Sequence, residues 1–457
     1  MDRLAIKEAL LQSLGIDPAH SRILVVGLGK TGVSVALFLH RLGIRFAVVD
    51  SRRKERTLLD ELLQEVPDTP VFTGGFHEAA FDVATHLVVS PGVALTERVI
   101  EHARANGARI LSDIDLFACA VDRPVAAITG SNGKSTVTTM LGNMAEAAGI
   151  ETAVGGNLGT PALDLLESHA ELYVLELSSF QLERTSRLRA AAATVLNVTA
   201  DHMDRYRDMA DYARQKQKIF AGQGVMVLNA DDPVVAAMRE PGRRTLTFGL
   251  TEAADFYVQS IDGREWLCHA GQSLLPVQGL QVTGRHNVAN ALAALALGRA
   301  LALPGSAMCQ ALREFKGLAH RMQKVAEIDG VTWINDSKAT NIGACVAALQ
   351  GVQKKVILIA GGDCKGADMR ELAPAVQDKA RAVVLLGKDA PLITQAISSA
   401  VPVYPAEDLQ EAVKIAAGLA NPGESVLLSP ACASLDQFKN YQERGEKFIA
   451  AVRSLAA

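Results

Sequence analysis

Residues 130–136, Gly-Ser-Asn-Gly-Lys-Ser-Thr, come directly after an apolar run. They form a short glycine loop that is followed by a lysine and two hydroxyl side chains. Gly130 and Gly133 allow backbone conformations in which several N–H groups surround one anion, and a helix beginning near Lys134 would turn its positive end toward it. Lys134 would neutralise phosphate charge, and Ser135 would offer a hydroxyl to Mg²⁺. We therefore predict a phosphate cradle, the alternative being an ordinary strand-to-helix turn with a surface lysine.

Glu176 lies near the end of another apolar run, residues 172–177. An unpaired carboxylate buried in a strand would carry a large desolvation cost or take up a proton. Beside a loop that binds Mg²⁺ and ATP, Glu176 would instead serve as a second magnesium ligand. The alternative is a structural ion pair.

Lys216 falls on the apolar face of a predicted helix. If residues 208–220 are helical, Lys216 shares a stripe with Tyr212 and Ile219 and points inward. Desolvation would lower its pKa and favour the neutral amine, which can react with CO₂. The alternative is a lysine whose stem covers the core while its ammonium group reaches solvent.

His202 follows a third apolar run and stands between Asp201 and Asp204. A capping or core histidine is the ordinary interpretation, and magnesium prefers oxygen ligands. The carboxyl edge of a parallel sheet, however, is where ligands gather in α/β proteins. This position favours a functional role for His202.

Apolar, β-rich runs alternate with helical segments along the 457 residues, which predicts an α/β fold of three domains. We expect an N-terminal Rossmann-like domain over residues 1–113 and a central P-loop ATPase-like domain with a mostly parallel sheet over 114–317. A C-terminal Rossmann-like domain would cover 318–457. A hinge is predicted at residues 317–321.

The first domain contains a G-x-G-x-x-G pattern at residues 27–32, and Asp50 ends the next strand. Taken alone, the pattern favours NAD or FAD, with Asp50 meeting a ribose hydroxyl. The phosphate cradle later in the chain makes a nucleotide diphosphate-sugar the better prediction. An NAD-dependent oxidoreductase is an alternative that rests on this pattern alone.

Composition argues against several classes of protein. A net charge of −4 is unlike that of a broad nucleic-acid-binding surface. Six cysteines without a C-x-x-C pair fit a reducing compartment. No run reaches the roughly 18 apolar residues of a membrane span, and residues 1–20 lack a signal-peptide core. We therefore expect a cytoplasmic protein that binds small molecules, not nucleic acid.

Five stretches, considered together, resemble the Mur ligase family, and most closely its branch that attaches D-glutamate. They are residues 130–136, 175–183, 201–206, 335–341 and 429–438. The resemblance implies ATP-dependent amide formation through an acyl phosphate, by a monomer, in peptidoglycan precursor synthesis. UDP-N-acetylmuramoyl-L-alanine and D-glutamate would be the substrates. Another Mur-type or folylpolyglutamate-type ligase, or a non-catalytic nucleotide sensor, is the alternative.

The same resemblance implies a role for each matching residue. For ATP these are Gly130, Ser131, Asn132, Gly133, Lys134, Ser135, Thr136, Asn287, Asn290, Arg321, Asp336 and Lys338. For the UDP substrate they are Lys30, Thr31, Asp50, Ser51, Arg52, Ser90, Gly92, Asn157 and Ser178. For D-glutamate they are His202, Thr340, Lys365, Ser434 and Tyr441. Two Mg²⁺ sites are implied, one at Ser135 and Glu176 and one at His202 and a carbamylated Lys216, and the catalytic set is Lys134, Glu176, His202 and Lys216.

Three positions depart from the family pattern. Tyr441 stands where a phenylalanine is usual, and Cys364 fills a small-residue position. The loop after Tyr206 lacks the expected proline, so the register could slip and Lys218 is the alternative to Lys216. The sequence offers no role for residues 1–19.

Overall fold

The computed structural model describes residues 3–52, 56–282 and 284–455, and these build three β-sheets in chain order. Each sheet is mostly parallel and has helices packed against it, which confirms the predicted α/β class with three domains. Parallel strands buried on both faces explain the near-continuous apolar runs in the sequence.

The first sheet has five parallel strands in the order β3-β2-β1-β4-β5. The strands are β1 (Ile23–Val26), β2 (Phe46–Asp50), β3 (Val71–Thr73), β4 (His86–Val89) and β5 (Arg109–Leu111). The helices of this part are α1 (Arg3–Leu14), α2 (Lys30–Arg41), α3 (Arg56–Glu65), α4 (Glu78–Asp82), α5 (Arg98–Ala105) and α6 (Asp113–Ala120). Helix α2 begins three residues before its first apolar residue, Val33, because Gly29 is already its extended N-cap.

Helix α1 accounts for most of the N-terminal segment that the sequence left unexplained. Its side chains Ile6, Leu10 and Leu14 are buried and belong to the core that continues into α6. At its end, the Leu14 carbonyl accepts hydrogen bonds from Arg109 Nη1 at 2.8 Å and His86 Nε2 at 3.1 Å. The helix therefore closes one side of the first domain.

The second sheet has nine strands in the order β14-β13-β12-β11-β10-β9-β6-β8-β7. They are β6 (Val125–Thr129), β7 (Thr152–Gly156), β8 (Leu172–Glu176), β9 (Ala192–Val195), β10 (Val225–Asn229), β11 (Thr245–Phe248), β12 (Phe256–Ile261), β13 (Arg264–His269) and β14 (Gln272–Pro276). All neighbours are parallel except β12–β13 and β13–β14. Because β9, β6 and β8 are adjacent, the three strands expected to carry polar ends do meet at one edge.

Seven α-helices accompany this sheet in the described residues. They are α7 (Lys134–Ala147), α8 (Ala162–Leu165), α9 (Ser179–Arg184), α10 (Met209–Gln217), α11 (Pro233–Ala236), α12 (Arg285–Ala300) and α13 (Gly305–Glu314). The helix predicted over residues 208–220 is α10 followed by a 3₁₀ turn at Lys218–Phe220, and Asp208 caps it by accepting from the Asp211 N–H at 2.7 Å.

The third sheet has six strands in the order β15-β16-β20-β17-β18-β19, parallel except for β15–β16. They are β15 (Gln323–Ile328), β16 (Val331–Asn335), β17 (Val356–Gly361), β18 (Ala380–Leu386), β19 (Val403–Pro405) and β20 (Ser425–Leu428). Its helices are α14 (Ile342–Gly351), α15 (Ala373–Lys379), α16 (Ala390–Ile397), α17 (Leu409–Leu419) and α18 (Tyr441–Arg453).

Residues 315–322, between α13 and β15, form neither helix nor strand, and they include the predicted hinge. In the described parts of the chain, none of the helices has the length and apolar character needed to cross a bilayer.

Candidate active site

The loop between β6 and α7 has the form expected of a phosphate cradle. Gly130 and Gly133 both adopt positive φ, at 154° and 82°, and Gly133 is the N-cap of α7. Lys134 turns back over the loop, and its Nζ donates to the carbonyls of Gly130 at 2.8 Å and Ser131 at 2.9 Å. Burial lowers the pKa of Lys134, and Glu176 and Asp201 oppose that shift.

The segment after β9 holds the loop in shape. Asn197 Oδ1 accepts from the Asn132 backbone N–H at 2.8 Å, and Asn197 Nδ2 donates to the Asn132 carbonyl at 3.1 Å. The Ser131 hydroxyl donates to the Thr199 carbonyl at 2.9 Å and accepts from the Thr199 N–H at 3.0 Å. These paired bonds explain why β9 ends at Val195.

Glu176 is buried at the end of β8, beside the loop. Asn157 Nδ2 donates to its Oε1 at 2.6 Å, whereas its Oε2 is buried without a hydrogen-bond partner in the described residues. Burial raises the pKa of this carboxyl, but the Lys134 charge, the nearby Ser135 hydroxyl and the Asn157 amide together outweigh burial, so its pKa lies below the usual value. Glu176 is therefore an ionised carboxylate with one oxygen available.

Lys216 points inward from α10 and is 1% exposed, as its helical stripe predicted. Its Nζ lies 4.4 Å from the centre of the Tyr212 ring and donates to the Gly130 carbonyl at 2.9 Å, the same carbonyl that accepts from Lys134. Burial, together with the nearby Lys134 charge, lowers the pKa of Lys216 well below its ordinary value. Lys218 instead donates to the Glu183 carbonyl at 2.6 Å.

His202 adopts a left-handed conformation with φ of 58°, and its ring lies 4.7 Å from the Phe180 ring. Burial lowers the pKa of His202 to about 4, despite the Asp201 carboxylate 3.6 Å from Nε2. The imidazole is therefore neutral at pH 7, which is the form that binds metal ions.

Asp201 connects the middle and third domains. Its carboxylate accepts from Asn341 Nδ2 at 3.0 Å and forms an ion pair with Lys365 Nζ. Asn341 also donates to Asn132 Oδ1 at 3.3 Å. The third sheet therefore lies against the phosphate loop and the segment that follows β9.

Three polar residues from the linker and the third sheet face the same space. Arg321 Nη2 donates to the Ser135 hydroxyl at 2.8 Å. Lys338 Nζ lies 4.0 Å from the centre of the Tyr441 ring, and burial lowers the pKa of Lys338 to about 7. Burial raises the pKa of Asp336 to about 7, although Ser429 donates to it at 2.9 Å.

These residues surround a cleft of about 440 Å³ between the second and third sheets. The predicted residues that line it are Ser131, Asn132, Gly133, Lys134, Ser135, Thr136, Asn157, Glu176, Ser178, His202, Lys216, Asn287, Asn290, Arg321, Asp336, Lys338 and Thr340. Gly130, Lys365, Ser434 and Tyr441 do not line it. Gly130 forms the base of the loop, Lys365 reaches Asp201, Ser434 is buried, and Tyr441 packs on Lys338.

Apart from Asn157 and Ser178, which line this cleft, the residues expected at the UDP substrate lie in the first domain. Lys30, Ser51, Arg52 and Gly92 are exposed, and Thr31 and Ser90 are half-buried. Asp50 is buried and fully engaged, since it accepts from the Leu28 N–H at 2.7 Å and pairs with the Arg52 guanidinium at 3.1 Å.

Ser90 and Ser178, both expected to contact the UDP substrate, also form hydrogen bonds within the protein. Ser90 donates from its hydroxyl to the Gly27 carbonyl at 2.9 Å, which joins the turn after β4 to the glycine turn. Ser178 caps α9 and accepts from the Gln181 N–H at 3.2 Å.

The structure also brings in polar residues that were not predicted as site residues: Asn197, Asp201, Tyr212, His286 and Asn341 line the cleft. Asp201 and Asn341 belong to stretches that the sequence had singled out, so their position in a motif was the available signal. His286 precedes Asn287 at the start of α12. Asn197 and Tyr212 carried no comparable signal, because their roles depend on contacts with the loop.

Three family models match successive parts of the chain. They are described as Mur ligase MurD-like, N-terminal domain, over residues 21–112, Mur ligase middle domain, over 128–298, and Mur ligase, glutamate ligase domain, over 320–432. Their order follows the order of the three sheets.

Curated relatives match along nearly the whole length. A UDP-N-acetylmuramoylalanine--D-glutamate ligase from Methylococcus capsulatus is 55% identical over 445 residues, covering 97% of this chain and 96% of the relative. One of the same name from Pseudomonas aeruginosa is 51% identical over 444 residues, covering 96% and 98%.

Solved structures share the fold at lower identity. A pseudomurein peptide ligase type C from Methanothermus fervidus has a TM-score of 0.62 at 19% identity, covering 95% of this chain and 100% of that chain. A UDP-N-acetylmuramate-alanine ligase from Thermotoga maritima has a TM-score of 0.62 at 20% identity, with the same coverage.

Proposed function

Because the chain belongs to the Mur ligase family, we propose that the cleft between its second and third sheets is where D-glutamate is joined to UDP-N-acetylmuramoyl-L-alanine. The protein is an ATP-dependent amide ligase of peptidoglycan precursor synthesis. A free carboxylate resists attack by an amine, so ATP first converts the alanyl carboxylate to an acyl phosphate. The amine of D-glutamate then displaces phosphate.

The observation that carries this proposal is the phosphate loop facing cations from the third domain. Lys134 lies on the loop, while Arg321 reaches the Ser135 hydroxyl and Lys338 lines the opposite wall. The Lys134 ammonium group donates hydrogen bonds to two loop carbonyls. It can exchange those bonds for charge-assisted hydrogen bonds to phosphate oxygens. ATP binding would thereby draw on residues from both domains.

The residues at the loop fit a magnesium ion. Glu176 is ionised and has one buried oxygen without a partner in the described part of the chain, and the Ser135 hydroxyl lies beside it. Hard oxygen donors of this kind are the ligands Mg²⁺ takes, usually alongside substrate phosphates. Magnesium would neutralise phosphate charge there.

We propose that Lys216 is carbamylated and, with His202, provides the donors for a second magnesium ion. The neutral amine would add to CO₂, forming the N–C bond and releasing one proton, and the carbamate nitrogen would keep one N–H for the Gly130 carbonyl. The change would replace a buried cation beside Lys134 by an anion, which removes a like-charge repulsion. No group of three His, Cys, Asp or Glu side chains in the described residues could hold a metal, so the carbamate would supply the missing oxygen ligand.

Lys365 and Thr340 are proposed to receive D-glutamate. Lys365 is paired with Asp201 in the structure, and a substrate carboxylate could take the place of that partner. Tyr441 stacks on Lys338, so we assign it to holding the Lys338 ammonium at the cleft wall. Ser434 is buried on the loop that follows β20. We propose that it supports D-glutamate binding by holding this loop in place.

The UDP end of the substrate is proposed to bind the first domain, where exposed Lys30 and Arg52 flank the glycine turn. Asn157 and Ser178 would meet its muramoyl part near Glu176. The three proposed domains keep the boundaries 1–113, 114–317 and 318–457. Since all of these groups come from one chain, we propose a monomer, and free cysteines fit a cytoplasmic location.

The direct test is ATP-dependent phosphate release with UDP-N-acetylmuramoyl-L-alanine and, in turn, D-glutamate, L-glutamate, L-lysine or no amino acid. We expect release that requires D-glutamate. Release with a different amino acid would assign another substrate to the third domain. Folded protein that binds ATP but releases no phosphate under any of these conditions would contradict the proposal.

A further inference from the structure

Two arginines and one glutamate of the middle domain hold the turn that follows β4 in the first domain. Arg184 ends α9, and its side chain has no exposed surface. Its Nη1 donates to the carbonyls of Val89, at 3.1 Å, and Ser90, and its Nη2 donates to the carbonyl of Val93 at 3.2 Å. One buried guanidinium thus binds three carbonyls of one turn.

Arg205 and Glu183 complete this group, which we call the arginine clasp (Glu183, Arg184 and Arg205). Glu183 Oε2 accepts from Arg184 at 3.2 Å and from Arg205 at 2.7 Å. Arg205 adds weaker bonds to the carbonyls of Pro91 and Val93, both at 3.4 Å, and lies 4.3 Å from the Phe180 ring centre. The shared carboxylate balances one of the two charges, so the guanidinium groups can lie side by side.

Other side-chain hydrogen bonds also join the two domains. Ser34 Oγ donates to Asp164 at 2.6 Å, the Ser112 and Thr185 hydroxyls share a hydrogen bond of 3.1 Å, and Gln181 Nε2 donates to Asp113 at 3.3 Å. Loss of the Arg184 side chain leaves these contacts in place. The particular contribution of the clasp is therefore to hold the turn.

From this geometry we infer that Arg184 is a positioning residue for the UDP substrate, which it serves by fixing the turn at Ser90–Gly92 before the substrate arrives. The inference rests on the proposed function, in which that turn contacts the uridine nucleotide. The Ser90 hydroxyl donates to the Gly27 carbonyl, so a fixed turn at Ser90 also restrains the glycine turn. A turn that is already ordered costs less entropy to bind.

Helix α9 also couples this turn to the chemistry. It follows β8, so Glu176, Ser178 and Arg184 belong to one short segment. Its first end adjoins the magnesium carboxylate and its last residue holds the nucleotide turn. Arg184 would therefore set where the substrate lies relative to ATP, as well as how tightly it binds.

The test compares Arg184→Ala with Arg184→Lys and with Arg187→Ala as a matched control, because the Arg187 side chain is exposed and its backbone N–H, which donates to Asp115, is kept in the variant. We expect Arg184→Ala to raise the KM for UDP-N-acetylmuramoyl-L-alanine by at least about tenfold, with the ATP KM within about twofold of wild type. Arg184→Lys should be intermediate, because lysine keeps the charge without the planar fork. Arg187→Ala should match wild type.

Calorimetric titration with UDP alone provides a readout that does not need turnover, and the same tenfold loss is expected for Arg184→Ala. An unchanged KM and UDP affinity in that variant would overturn the inference. Equal rises in the KM for both substrates together with a lower Tm would also overturn it, since they indicate general loosening. Wild-type protein that binds UDP but does not turn over the substrate would instead contradict the proposed function.

Discussion

Lys134 and Lys216 donate to the same carbonyl, that of Gly130. Two ammonium groups so close together repel each other, and the field of Lys134 favours the neutral or modified form of Lys216. At the scale of single residues, this pair gives the site its most direct test.

We expect Lys216→Ala to fold but to lose about tenfold to hundredfold in activity, because a proposed metal ligand is missing. Acetate or formate should restore part of the activity by supplying the lost oxygen. Lys218→Ala is the matched control and should keep most of the wild-type rate, since Lys218 donates only to the Glu183 carbonyl. Near-normal phosphate release by the unrescued Lys216→Ala protein would contradict carbamylation.

Asp336 gives a pH dependence of stability. Burial raises its pKa to about 7, so between about pH 4 and 7 the folded protein keeps a proton that the unfolded chain releases. The free energy of unfolding should therefore fall as the pH rises through this range. Asp336→Asn should remove that part of the slope, of the order of 4 kcal/mol at most.

Urea denaturation of both proteins at several pH values, followed by the fluorescence of Trp333 buried in the same domain, measures this difference. Parallel pH profiles for wild type and Asp336→Asn would show that Asp336 is not protonated in the folded state.

The sequence could identify Lys134, Glu176 and Lys216 because each residue type is unusual where it stands. A buried carboxylate in an apolar strand and a lysine on an apolar helical face are both costly, and the structure confirms that both are buried. Asn197 could not be found this way. Its amide matters because it bonds the Asn132 backbone, a contact visible only in three dimensions.

At the scale of elements, the loop between β6 and α7 depends on Gly133. Its φ is 82°, and a Cβ there would lie 2.4 Å from Asn290 Oδ1. Gly149 follows the other end of α7 with a similar φ of 78°, but nothing lies within 4 Å of a Cβ there. The two glycines share the same backbone requirement and differ in their neighbours.

We predict that Gly149→Ala loses about 1 kcal/mol of stability through backbone strain while keeping its ATP KM. Gly133→Ala should bear the same strain and also displace Asn290, so its ATP KM should rise by about tenfold or more. Steady-state kinetics with thermal unfolding as the stability control separates the two effects. Similar ATP KM values in both variants would show that the contact with Asn290 does not matter.

The types of the elements were predictable, because buried parallel strands appear in the sequence as continuous apolar runs and helices as an apolar stripe. The residues at which the elements begin and end were harder to predict. β9 ends at Val195 because the residues after it bond the phosphate loop, which is distant in sequence. The start of α2 at Lys30 is set locally, by its N-cap Gly29.

At the scale of the whole molecule, few polar contacts join the third domain to the middle domain in the described residues: Arg321 with Ser135, Asn341 with Asn132 and Asp201, and Lys365 with Asp201. The sequence predicted a hinge at residues 317–321 but not these pairs, because the pairs depend on how the domains are oriented. Contacts so sparse and polar are easily exchanged for substrate.

We expect the radius of gyration measured by small-angle scattering to fall when an ATP analogue, UDP-N-acetylmuramoyl-L-alanine and D-glutamate are present together. Closing the linker at residues 317–321 lets ATP and the amino acid meet. The UDP substrate alone should leave the radius unchanged, since it is proposed to bind the first two domains. No compaction with all three ligands would argue against a hinge.

Helix α9 contains six residues, which corresponds to about 9 Å of axial rise. One end lies by Glu176, the proposed magnesium ligand, and the other carries Arg184, so under the proposed function this helix would act as a spacer between the two ends of the substrate. Adding or removing one residue would turn Arg184 by about 100° around the axis and away from its three carbonyls. Between Glu176 and Arg184 we therefore expect related chains to differ by substitution but not by insertion or deletion.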